Sequence, residues 1–228
     1  MRHLRTLIRP LSLLALTIAT IVGSAALAQD DDPVVLSVDG EERTLSQFEQ
    51  RFEIALRSAA SQQGVPMNDE IRAQLEAYAG PFLDQLAQEI AWLHEADARD
   101  IEISEAEVDQ VVADLRGDGD DQAFAELLDQ SGIGDVETLR RLVEEGERIT
   151  RLQQQLGADV EVSDEEVRET YEATPEASDR EFDEVRDQIE AQLVNQVVQQ
   201  ELSAIVAEAD VATYPDRLPY EVESTDDF

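Results

Sequence analysis

Cysteine is absent from the chain, and so is lysine. The first absence excludes disulfides, thiolate metal sites and a thiol nucleophile. The fold must therefore be held by its core alone. Histidine occurs only at positions 3 and 94, so no pair is available for a zinc site. His94 lies in a helical stretch between Leu93 and Glu95 and reads as structural. No glycine-rich phosphate loop follows a strand. The acidic loop Gly117-Asp-Gly-Asp-Asp121 suggests calcium at first sight. Counted from Asp118, position 6 is Ala123 and position 12 is Asp129, so the EF-hand pattern fails and a polar turn is the better reading. No catalytic residue, metal or cofactor is expected.

What is abundant is acid. Asp and Glu number 53 against 17 basic residues, all arginine, for a net charge of -36. Such a surface repels nucleic acid and anionic lipid, so neither is an expected partner. Two origins stay open. One is adaptation to high salt, where mobile ions screen carboxylate repulsion. The other is an acidic, GC-rich proteome, which also replaces lysine by arginine.

The first 28 residues differ in kind from the rest. Arg2, Arg5 and Arg9 precede an apolar run from Leu11 to Val22, and Ala26-Leu27-Ala28 closes it. That order is a secretory signal with a cleavage site. The apolar core is 12 residues long, and a spanning helix needs about 20. The alternative is an uncleaved anchor over Leu11 to Ala28. Cleavage places the protein in the periplasm or outside the cell, with no stable membrane insertion; the anchor would hold it at the membrane. The signal carries three arginines and no acid, so the remaining 200 residues carry -39.

After Gln29 the chain reads as mainly α. Val34 to Val38 is a short strand, and Asp39-Gly40 is a hairpin turn leading to a partner at 41–44. Thr44-Leu-Ser-Gln47 is a capping box. The helix it opens places Leu45, Phe48, Phe52, Ala55 and Ala59 on one face and ends at Gln62-Gln63-Gly64. Asn68 or Asp69 caps the next segment, whose stripe runs through Ile71, Leu75, Tyr78, Phe82, Leu86, Ile90 and Leu93. Gly80-Pro81 interrupts it; the stripe stays in phase, which favours a kink over two helices. Ser104-Glu-Ala-Glu107 and Ser163-Asp-Glu-Glu166 are two further capping boxes. The blocks I-E-I-S-E-A-E-V and V-E-V-S-D-E-E-V that contain them are either an internal repeat or one helix-start device used twice. Further helices carry Phe124, Leu127 and Leu128; Leu139 to Leu156, capped by Asp135 and closed by Gly157; and Phe182 to Ala209. Val211 to Tyr214 is a candidate strand. Residues 215–228 are expected to be an acidic, flexible tail.

The order of motifs resembles the SurA- and PrsA-like extracytoplasmic chaperones. V-V-L-S-V-D-G-E-E-R-T-L-S-Q-F is similar to the opening of that family. Phe82 to Val108 resembles its most characteristic block, with Asp100 where the family usually has glycine. Val160 to Tyr171 and Phe182 to Leu193 resemble the segments that enter and leave the parvulin prolyl-isomerase domain. Only ten residues separate Tyr171 from Phe182, and none is histidine, so the insertion is absent between 171 and 182. The resemblance implies a multi-helix chaperone core over 29–214, with one or two short strands near the termini. It implies an ATP-independent, non-enzymatic chaperone that binds unfolded or nascent exported polypeptides. A prolyl isomerase of the same family and a non-catalytic envelope scaffold are the rival readings; a homodimer is an open state of assembly. Phe48, Phe52, Tyr78, Phe82, Trp92 and Phe124 hold most of the large aromatics of the first half. They are core residues or, in part, the lining of a client groove.

Overall fold

The computed structural model describes residues 32–174 and 180–220. The proposed signal lies outside the described residues. Among them are eight α-helices, three short strands and one 3-10 turn.

Strands β1 (Val34–Val38) and β2 (Glu41–Thr44) pair antiparallel through the two-residue turn Asp39-Gly40. Both turn residues have positive φ, +50° and +86°. That geometry matches the right-handed twist of the strands it joins, and it suits aspartate and glycine. The third strand comes from the far end of the chain. β3 (Val211–Thr213) pairs antiparallel with the other edge of β1, giving the order β2-β1-β3. The first strand of the fold is thus the centre of the sheet, and Val35, Leu36 and Val38 are fully buried.

Helix α1 (Leu45–Gln62) starts where the capping box places it, with the Gln47 side chain accepting a bond of 3.0 Å from the Thr44 N–H. Its buried stripe is Phe48, Phe52, Leu56 and Ala60. Ala55 and Ala59, expected in that stripe, are half-buried on an adjacent flank. The expected kink at Gly80-Pro81 is instead a break upstream of it. Helix α2 (Asp69–Glu76), capped by Asn68, ends before Tyr78, and α3 (Ala79–Ala98) begins anew. Pro81 is the third residue of α3, where a helix has no use for its N–H. Leu83, Leu86, Ala87, Ile90 and Ala91 of α3 join β1, α1 and Leu218 in the largest core cluster.

The remaining helices extend from α3. Both α4 (Glu105–Arg116) and α5 (Asp121–Gln130) pack on α6 (Val136–Ala158). There Phe124, Leu128 and Leu139 form a separate small core. α6 itself packs on α3 and on α8 (Phe182–Glu208), around Leu152, Leu156 and Leu202. α6 runs one residue past Gly157, whose position faces Val194 and Val198 of α8. α7 (Asp164–Ala173) packs against the first half of α8 around Val167, Val185 and Ile189. The apolar face of α8 turns along its length, because its first half meets α7 and its second half meets α3 and α6.

The repeated blocks are one local device in two settings. Glu107 accepts from the Ser104 N–H at 2.9 Å, and Glu166 from the Ser163 N–H at 2.8 Å. In each, the serine hydroxyl accepts from the third helical N–H at 3.3 Å. Bonds to Ser104 and to Arg151 hold the Glu107 pKa down at about 2.

Three helices end alike. At Gly64, Asp100 and Gly132, each with positive φ, the next N–H returns to the carbonyl five residues back in a Schellman motif. The bonds are Val65 to Ala60 at 3.0 Å, Ile101 to Ala96 at 2.9 Å and Ile133 to Leu128 at 3.0 Å. Residues 215–220 differ from the expected flexible tail. A 3-10 turn at Pro215–Arg217 folds the chain back, Leu218 is buried in the main core, and the Tyr220 ring packs edge-on against Phe52 at 5.4 Å. Positions 221–228 lie outside the described residues.

Candidate functional site

The half-buried flank of α1 is where the molecule is open. α1, α2 and the start of α3 enclose a groove of about 470 Å³. α1 contributes Phe52, Ala55, Leu56 and Ala59 to it, α2 contributes Ile71 and Leu75, and Tyr78, Pro81 and Phe82 close the far side. The alanines explain the opening: a methyl group on the α1 flank leaves room that a leucine would fill. Three glutamines, Gln63, Gln74 and Gln85, supply its polar groups. In a chain that is 31% charged, none of the twelve lining residues carries a charge.

Ala55 and Phe82 also face a second, adjoining hollow of about 380 Å³ between α1, α3 and α6. Ile54, Leu93, Leu142 and Ile149 line it. Arg51 of α1 spans its end, donating to Glu89 of α3 at 2.6 Å and to Glu145 of α6 at 2.7 Å. A smaller hollow of about 260 Å³ follows beyond that bridge.

The six aromatic candidates separate. Phe48, Phe52 and Phe82 form one cluster, with ring centroids 5.2 to 5.7 Å apart. Phe48 is fully buried and Phe52 nearly so, so Phe48 serves as core and Phe52 as the floor of the groove. Phe82 is half-buried in the wall. Tyr78 is 61% exposed at the mouth. Trp92 lies elsewhere, half-buried, with its indole N–H donating to the Leu202 carbonyl at 3.0 Å. Phe124 is buried in the small core of α4, α5 and α6. Sequence reasoning missed the alanines, the glutamines and Tyr220. The available signal was the uncharged run of α1 positions 52, 55, 56 and 59, continued by Gln63 just past the helix end.

Charge surrounds the groove without entering it. Burial raises the Tyr220 pKa, and the carboxylates of Glu49, Glu76 and Glu53 raise it further against the opposing Arg72. Arg72 is bound to Glu53 through bonds of 2.7 and 3.0 Å. Away from the groove, His94 Nε2 lies 2.6 Å from Glu41 and Nδ1 3.4 Å from Asp39, tethering α3 to the hairpin. Burial lowers the His94 pKa, but bonds to both carboxylates outweigh it and the net shift is upward. In the acidic loop, Asp120 caps α5 and Asp121 pairs with Arg116. Among the described residues no three carboxylate or imidazole groups are placed to share a metal ion, and no helix is long and apolar enough to cross a membrane.

No curated protein matches the chain. A family model described as the SurA-like N-terminal domain matches residues 2–153.

Proposed function

The chain belongs to the SurA-like N-terminal domain family, and from that membership we propose that it is an exported chaperone holding unfolded or unassembled polypeptides without ATP. The observation that carries the reading is the uncharged groove of α1, α2 and α3. An apolar segment of a client loses water against Phe52, Leu75 and Phe82, at about 25 cal/mol per Å² of apolar surface covered. The glutamine amides both donate and accept, so they can satisfy an extended client backbone whatever its sequence. Binding of this kind is weak per segment and reversible, which suits holding rather than a fixed complex. We read the protein as non-enzymatic, because ten residues stand where the family inserts its isomerase domain. The basic, apolar and A-x-A order of residues 1–28 supports delivery outside the cytoplasm.

The test is light scattering of a chemically denatured client diluted into buffer with and without the protein. Suppressed aggregation is expected at excess protein. Ala59→Glu, which sets a charge in the groove, and Tyr78→Ser, at its mouth, should each weaken suppression while leaving the thermal midpoint of the protein nearly unchanged. Failure of the unaltered protein to suppress aggregation of several unrelated clients overturns the reading.

A further inference from the structure

The groove has a charge-free lining and a negative approach, and the two together specify more than apolarity. Glu49 lies one turn before Phe52 on α1, on the same side of the helix. Glu76 is the last residue of α2, next to Leu75 of the lining. Among the described residues neither carboxylate has an arginine within ion-pair distance, whereas Glu53 holds Arg57 at 2.6 Å and Arg72 at 2.7 Å. Both act on Tyr220, whose ring rests on Phe52 at the groove floor. The cations in that neighbourhood, Arg57 and Arg72, share the single carboxylate of Glu53, and Arg72 also feels the charge of Glu76, so Glu49, Glu53 and Glu76 against the two arginines leave one net negative charge. Two carboxylates outside any ion pair, in a group that is net negative, therefore stand beside an uncharged apolar channel.

We propose that the groove takes apolar polypeptide segments flanked by arginine or lysine, and that Glu49 and Glu76 select them. The inference rests on the groove being the client site. A charge carried into the lining itself finds no counter-charge and is disfavoured. A charge just outside it meets Glu49 and Glu76, so a basic flank is attracted and an acidic flank repelled. The surrounding net charge of -36 adds a long-range pull on the same ligands.

The experiment uses three labelled peptides with one apolar core, flanked by arginine, by serine or by aspartate, titrated against the full chain by fluorescence anisotropy. At low salt the arginine-flanked peptide should bind about three- to tenfold tighter than the serine-flanked one, and the aspartate-flanked one weaker by a similar factor. Both differences should shrink towards unity in molar NaCl and in Glu49→Gln/Glu76→Gln. A charge-reversed Glu49→Lys/Glu76→Lys variant should favour the aspartate-flanked peptide over its behaviour with the unaltered protein. Equal affinities for all three peptides at low salt overturn the selectivity and leave the groove reading standing. A preference that persists unchanged in the Gln variant overturns the assignment to these two residues. No binding of any peptide removes the groove reading and this inference with it. The thermal midpoint of each variant, expected to match the unaltered chain, separates lost selectivity from lost fold.

Discussion

Asp100 shows how one residue can depart from a family pattern and still meet its physical demand. It occupies the left-handed position of a Schellman motif, with φ of +54°, where the resembling family uses glycine. Aspartate tolerates that region better than most residues, because its short polar side chain bonds locally. The buried Ile101 that follows, 4% exposed, depends on this turn to reach the core it shares with Ala96 and Leu152. Asp100→Gly should therefore stabilise the protein by about 0.5–1 kcal/mol, the strain relieved less the flexibility added to the unfolded chain. Asp100→Val, β-branched and without a local bond, should destabilise it by about 1–2 kcal/mol. Urea unfolding midpoints of the two variants decide; if both lie with the unaltered protein, the turn is not strained. The position was legible as a family departure, but its meaning was not, because sequence alone does not give φ.

At the scale of elements, the legible features were those fixed within a few residues. The Asp39-Gly40 turn, the Thr44, Ser104 and Ser163 helix starts and the Gly64 stop all stand where local chemistry puts them. What was not legible depended on a distant partner. The break between α2 and α3 was hidden because the apolar stripe keeps its phase across it. The groove was hidden because α1 has two candidate apolar flanks, and only tertiary packing decides that Phe48 and Ala60 face inward while Ala55 and Ala59 line an opening. The docking of residues 215–220 was not legible for the same reason: two prolines and acidic neighbours suggest fraying, yet Leu218 is 7% exposed in the main core. Leu218→Ala should cost about 2–3 kcal/mol by the usual transfer and cavity terms. A frayed residue would cost under about 0.5 kcal/mol. Denaturant unfolding of that variant separates the two, and the smaller value would mean the segment does not close the core.

At the scale of the whole molecule, charge sets the conditions of stability. Most arginines outside the first 28 residues are held by carboxylates, as in Arg51 with Glu89 and Glu145 and Arg186 with Asp164. The excess acid remains unpaired. Salt acts on both: it weakens the exposed ion pairs, each worth little, and it screens the larger mutual repulsion. The second effect should prevail at a net charge of -36. The thermal midpoint is expected to rise by about 5–10 °C from low to molar NaCl, as a gain of about 2–3 kcal/mol produces in a chain of this size. A flat or falling profile would show that the acidity is compositional and not a stability device. The sheet adds a constraint of another kind, one of time. β1 is central, and its second partner begins after Asp210, 171 residues beyond Asp39. Synthesis at 5–20 residues per second separates the two by roughly ten to thirty seconds. Throughout that interval β1 has one bare edge and Phe52 lacks the cover of Tyr220 and Leu218. A nascent copy of this chain thus displays, while waiting for its own C-terminal strand, the kind of apolar surface that its finished groove is proposed to receive.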